Sequence, residues 1–315
     1  YAIGGVSSFT VGYFGGGTNP GGGGVNTMDK LTYSIDTTSA APAINFPEST
    51  KGSAGIGNDP LDSGYFAGGA PSSSSKSYFF KLTFATETIS KLPSSTQLTA
   101  ARYGMAASQS PSSAYFSGGL GAGSYRTITD KLSYSDDTVS RIPGADLTSE
   151  RFAVMGHGTT TAGYIGGGIG KSSTDKLTFS SETTSLLPAS ANFSVPGRHK
   201  YATTGNSSAG YLSGGNPTTN YTEKFVYSSE SQSYIPAANL SSIRYHAAGV
   251  GGRQYGLSFN SPPTEIPSPQ VFQSSPNNAF NLGGATPGID YVSTVDKFTY
   301  TTETSVAAPG SNLTV

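Results

Sequence analysis

The sequence predicts an all-β fold, a β-propeller, in which short antiparallel strands form blades around a central axis. Three observations carry that expectation. A glycine-rich strand recurs about every 50 residues, an alternating strand follows each copy, and the two chain ends stand in repeat register. Self-similarity at such a period marks solenoids, arrays and propellers.

The elements of one unit follow in a fixed order. The segment GYFGGG at 12–17 returns as GYFAGG (64–69), AYFSGG (114–119), GYIGGG (163–168) and GYLSGG (210–215), with a later copy AFNLGG at 279–284. A Gly-, Ser- and Pro-rich loop comes next. Then stand DKLTYS (29–34), FKLTFA (80–85), DKLSYS (130–135), DKLTFS (175–180), EKFVYS (223–228) and DKFTYT (296–301). Leu and aromatic residues alternate there with Lys and Thr, the period-two signature of a half-buried strand. An acidic residue before Thr or Ser marks a turn, at Asp36, Glu87, Asp137, Glu182, Glu230 and Glu303. A short strand then ends on Pro42, Pro93, Pro143, Pro188, Pro236 or Pro309. Arg102-Tyr103, Arg151-Phe152 and Arg244-Tyr245 open the strand after it. Four short strands per unit, with no helical periodicity, describe one antiparallel propeller blade.

The ends predict a closed ring. Tyr1 precedes Tyr13 by the interval that separates Phe152 from Tyr164, and the terminal NLTV (312–315) matches DLTS at 146–149. One unit breaks the register: Tyr255 follows Tyr211, but no DKLTY strand stands between it and Phe280. Inner strands near Tyr1, Ser53, Tyr103, Phe152, Tyr201, Tyr245 and Phe272 give seven blades, the sixth truncated. Their bounds are 1–47, 48–98, 99–147, 148–195, 196–241, 242–269 and 270–315, within one domain spanning 1–315. Counting only complete units gives the alternative, six blades with a hairpin insertion. The chain starts at Tyr1 rather than Met and both ends fall in mid-connection, so flanking segments of a longer polypeptide are expected.

Composition narrows the function classes. Of 315 residues, 42 are Gly, 19 Pro and 12% charged, with a net charge of −1. No basic field attracts nucleic acid, and no run of 18 apolar residues suggests membrane insertion. The absence of Cys excludes disulfides, thiolate zinc sites and cysteine nucleophiles.

The Arg-led inner strand, the strand ending in Gly-Gly, the Tyr-bearing strand and the fourth strand before Pro resemble the kelch propeller repeat over the whole chain. The usual Trp of the kelch fourth strand is missing, so smaller side chains must meet its packing role. The wording GYFGGG…DKLTYS resembles more narrowly the kelch-like repeats of structural and tail-associated proteins of marine bacteriophages. That resemblance implies a component of a virion or tail fibre that meets a host surface.

Chemical motifs are weak by comparison. GGGIGKSS (166–173) fails as a phosphate loop because Ile165 stands where Gly is required and a strand, not a helix, follows. His157, His199 and His246 all fall near inner strands, but at different distances from their own Tyr, which does not describe a shared metal site. No G-x-S-x-G elbow or calcium loop occurs. Five N-x-[ST] sequons are about what chance supplies in so Ser- and Thr-rich a chain. No catalytic residue, cofactor or metal is therefore assigned.

What varies between units is the loop after Gly-Gly, and a rigid scaffold with variable polar loops is the layout of a binding surface. Tyr125, Arg126, Asn220, Tyr221, Asp290 and Tyr291 are its residues best suited to stack on sugars or bond hydroxyls. The expected function is a non-enzymatic structural and recognition propeller, extracellular or on a virion surface. Its expected partners are other virion or cell-surface proteins and surface polysaccharide. A secreted glycan-binding lectin is the alternative, and a hydrolase with a channel-mouth site ranks below it.

Overall fold

The computed structural model describes residues 4–19, 22–58, 61–71, 74–217, 219–251, 277–286 and 292–313. Among them the repeat forms six four-stranded antiparallel sheets, the blades, with strands side by side in chain order. The first holds β1 (Gly4–Ser7), β2 (Val11–Gly15), β3 (Met28–Thr32) and β4 (Thr37–Ala40). The second holds β5 (Ala54–Asn58), β6 (Ser63–Ala67), β7 (Phe79–Thr83) and β8 (Thr88–Lys91). In the third, β9 (Ala106–Gln109) and β10 (Ser113–Ser117) are joined by a small ribbon, β11 (Leu120–Gly121) and β12 (Ser124–Tyr125), to β13 (Thr129–Ser133) and β14 (Val139–Arg141). The fourth comprises β15 (Gly156–Gly158), β16 (Ala162–Gly166), β17 (Thr174–Thr178) and β18 (Thr183–Leu186). The fifth comprises β19 (Ala202–Gly205), β20 (Ala209–Ser213), β21 (Thr222–Val226) and β22 (Ser231–Tyr234). The sixth comprises β23 (Ala248–Gly251), β24 (Asn278–Leu282), β25 (Val295–Thr299) and β26 (Thr304–Ala307).

The inner strands β1, β5, β9, β15, β19 and β23 pack in sequence, and β23 returns to β1, so the ring closes with six blades. The seven-blade expectation is corrected. Strand β23, assigned to a truncated sixth blade, is hydrogen-bonded along β24, assigned to a seventh. The two partial units are one sheet. Elsewhere the first and second strands are three or four residues apart, as at 8–10 and 159–161, so the segment 252–276 between β23 and β24 imitates a unit of its own. The inner strand placed near Phe272, and the hairpin of the six-blade alternative, lie outside the described residues.

Six strands around one axis must approach closely, which explains their Gly, Ala, Ser and Thr content. A Cβ on Gly55 would stand 2.2 Å from the Gly5 carbonyl oxygen, and one on Gly156 2.1 Å from that of Ala107. The apolar cores lie between neighbouring blades, as where Tyr115 and Leu147 of the third meet Ile165, Leu177 and Phe179 of the fourth.

Three recurrent sequence features prove to be joints. Gly-Gly is the first: both residues adopt positive φ, 62° and 106° at Gly68 and Gly69, and the Gly69 N–H donates to the Arg102 carbonyl of the next blade at 3.0 Å. Gly119, Gly168 and Gly215 repeat the bond to Arg151, Arg198 and Arg244.

The second joint is a fully buried ion pair within a blade. Arg102 meets Asp130 at 2.8 Å, Arg151 meets Asp175 at 3.2 Å and Arg198 meets Glu223 at 2.5 Å, all with 0% side-chain exposure. Arg244 pairs likewise with Asp296. The second blade carries Thr50 and Phe80 at these two positions, so both partners are replaced together.

The third joint ties each blade to the next. The turn acids Asp36, Glu87, Asp137, Glu182, Glu230 and Glu303 all sit at positive φ, between 47° and 55°. Glu182 accepts from Tyr115 Oη at 3.1 Å and Lys131 Nζ at 2.5 Å, both of the preceding blade. Tyr13 with Lys30, Tyr65 with Lys81, Tyr164 with Lys176 and Tyr211 with Lys224 repeat it. Lys297 closes the ring on Asp36, with Phe280 in place of the Tyr. Among the described residues no helix is long and apolar enough to cross a membrane.

Candidate functional site

The joints decide where function can reside, because they use most of the repeated polar groups inside the scaffold. What they leave is one end of the axis. There the residues just before an inner strand bridge to those just after Gly-Gly: Tyr103 to Leu120, His199 to Asn216 and Tyr245 to Ala285. The variable loops therefore surround the mouth of the central channel.

A ring of backbone hydrogen bonds narrows that mouth. Gly104 N–H donates to Gly52 O at 2.8 Å, Ala153 to Gly104 at 2.9 Å, Lys200 to Ala153 at 2.8 Å and His246 to Lys200 at 2.7 Å. All five are left-handed, with φ of 67°, 65°, 58°, 57° and 61° from Gly52 to His246. Glycine adopts this region freely, whereas a residue with a Cβ is strained there by about 1–2 kcal/mol. The second and third blades use Gly; the fifth and sixth place Lys and His in the same column.

A cavity of about 310 Å³ is lined by these ring residues together with Lys51, Tyr103, Met105, Phe152, Met155 and Tyr201, among others. Its two sides differ in chemistry. On one, the Tyr103 and Phe152 rings meet edge to face at 5.3 Å, and Tyr125 stacks on Phe152 at 5.4 Å and 14°. On the other stand Lys200 and His246, with His199 beside them. Burial pushes the Lys200 amine below its ordinary range. Burial, with Lys200 adding to it, drives His246 well below the usual imidazole value and lowers His199 as well. Both imidazoles are therefore neutral near pH 7. The described lining contains no Asp or Glu, and no cluster of His, Cys, Asp and Glu able to hold a metal occurs among the described residues.

The sequence-predicted residues separate. Tyr125 is exposed and joins the aromatic side of the cavity through Phe152. Arg126 bridges backbone to backbone with Arg151 and donates through Nη2 to Gly121 O at 2.9 Å, so it shapes its own loop. Asn220 donates to Leu240 O at 3.1 Å, a structural bond. Tyr221 is exposed but pairs with Tyr234 at 4.6 Å, and its carbonyl accepts from buried Arg198. Asp290 and Tyr291 lie outside the described residues. Of the histidines, His157 packs between blades against Tyr164, Phe225 and Tyr227, not in the channel mouth.

Sequence reasoning passed over Lys200, Tyr103 and Phe152 and took His246 as ordinary. A signal existed: two residues after Thr50, Arg102, Arg151, Arg198 and Arg244 the column reads Gly, Gly, Ala, Lys, His. Reading it required knowing that the column is left-handed. No protein-family model matches the chain, and no curated protein matches it. Fold and site together define a six-bladed β-propeller with an asymmetric cavity at one end of its axis.

Proposed function

We propose that the chain is a non-enzymatic recognition and structural propeller of the kelch-like kind, displayed on a virion or tail appendage and contacting a host surface through its loop face. One observation carries this reading: the recurring charged and Tyr groups are engaged in holding blades together, while the loops that differ between blades start beside the residues that line the cavity. Function on a propeller must be argued from such a site rather than from the fold. Tyr125, stacked over the cavity wall, makes the loop face and the cavity one continuous surface. The resemblance to phage structural repeats supplies the virion setting, with other virion or cell-surface proteins and surface polysaccharide as partners.

A secreted lectin with one sugar site per blade expects equivalent loop residues around the ring. The loops 120–129, 169–174 and 216–221 share none. The test is binding of the purified chain to a panel of bacterial cells and their isolated surface polysaccharides. Saturable, strain-dependent binding that Tyr125→Ala weakens supports the reading; an absence of binding to every surface refutes it.

A further inference from the structure

Around the cavity, the second to sixth blades each hold a residue with φ near 60°, and Gly52 and Gly104 adopt it without strain. Lys200 and His246 bring nothing to the ring's hydrogen bonds that glycine would not, because those bonds use only backbone atoms. Left-handed strain on residues with side chains collects at functional sites, where the side chain is the purpose. Three adjacent blades here accept it, with Ala153, Lys200 and His246, and the last two bring a cation and an imidazole to the same cavity.

The cation is uncompensated. Among the described residues Lys200 makes no salt bridge, whereas the other lysines of the fifth and sixth blades, Lys224 and Lys297, are paired with acids. Its nearest aromatic contact is the Tyr245 ring, 5.7 Å from Nζ. The second lysine of the lining, Lys51, donates to Gly22 O at 2.6 Å, so part of its capacity is engaged. A partly desolvated ammonium without a carboxylate carries a cost, and an anionic ligand relieves it.

We propose that this cavity binds a carboxylated sugar residue, with the carboxylate on Lys200 and the ring against Tyr103 and Phe152. The proposal deepens the recognition reading and rests on it for its biological setting. Three features select this ligand class. One free ammonium beside neutral imidazoles matches a monoanion better than a doubly charged phosphate. Beside it the tautomer of His199 is fixed, because Nδ1 donates to the Gly197 carbonyl at 2.8 Å, and its Nε2 is left as an acceptor for a sugar hydroxyl. The opposite wall of aromatic rings offers a flat apolar face, and 310 Å³ falls at the small end of ligand pockets, the size of a single ring rather than an extended chain.

The test is calorimetric titration at low salt with D-glucuronate, the neutral D-glucuronamide and a trigalacturonate. The acid is expected to bind at least about tenfold more tightly than its amide, with the difference shrinking as salt rises. Lys200→Met should bring the acid down to the affinity of the amide and leave the amide unchanged. Lys200→Gly should do the same with an unaltered far-ultraviolet spectrum and a Tm no lower than the parent's, since Gly52 and Gly104 occupy the equivalent place without strain. Phe152→Ala should weaken acid and amide alike. Equal affinity for acid and amide, an acid preference that survives Lys200→Met, or no binding of any of the three overturns the proposal. Cell binding that Tyr125→Ala weakens but Lys200→Met does not leaves recognition standing without the carboxylate site. Uronate binding with no binding to any cell surface leaves the site and removes the recognition reading.

Discussion

The paired exchange in the second blade makes the buried ion pairs testable as a unit. In the third blade Arg102 donates to Asp130 at 2.8 Å, to Phe116 O at 3.0 Å and to Ala100 O at 3.1 Å, while Asp130 accepts from the Thr99 N–H at 3.1 Å and its hydroxyl at 2.6 Å. Both side chains are fully buried. Removing one partner strands the other charge without water, which costs about 3–5 kcal/mol. In the second blade Phe80 packs at 5.0 Å on Phe46 and 5.1 Å on Tyr78, and the ring closes without the pair. Arg102→Thr and Asp130→Phe should each lower stability by about 3–5 kcal/mol, a fall in Tm of roughly 6–20 °C for a domain of this size. The double variant should cost far less than the sum, a coupling of about 3 kcal/mol or more. Urea denaturation followed by circular dichroism measures all three against the parent. Strictly additive losses would show that the two residues do not act through one another and would refute the account.

Two further perturbations follow from the packing. Burial lowers His157 to about 3, against an unfolded value near 6.5, so below pH 6.5 the unfolded chain binds a proton that the folded one refuses. Stability should therefore fall as the pH drops from about 6.5 toward 3, by up to about 1.4 kcal/mol per unit from this group. His157→Phe should flatten that part of a Tm-against-pH curve, and an unchanged slope would disprove the assignment. Gly156→Ala places a Cβ where the Ala107 carbonyl already stands, 2.1 Å away. A loss of several kcal/mol, or failure to fold, is expected in thermal unfolding; parent-like stability would mean the inner strands are not in contact.

Much of the fold was legible because each joint repeats. DKL, the turn acid, Gly-Gly and the Arg before the inner strand recur at one period, and the four-stranded blade follows from their order. The blade count was less legible. Segment 252–276 separates β23 from β24 in the chain, but only hydrogen bonding across that gap shows that Ala248–Gly251 and Asn278–Leu282 share one sheet. The site was legible in part. Tyr125 stands out in the sequence as a variable aromatic, and in the structure it stacks on Phe152 of the cavity lining. Arg126, Asn220 and Tyr221 look equally suited as residue types, but a carbonyl or a neighbouring ring occupies each of them.

What the sequence determined alone was therefore local and periodic: strand, turn, joint and repeat, each set by residues within one unit. Tertiary structure decided what depends on distance around the ring. It set the number of blades, because inner strands of Gly and Ala can approach to within a single Cβ of one another. It also decided the character of the site. Gly52, Gly104, Ala153, Lys200 and His246 lie roughly 50 residues apart in the chain. Only closure of the ring turns that column into one wall, where the part-buried Lys200 ammonium and His246 line the same cavity.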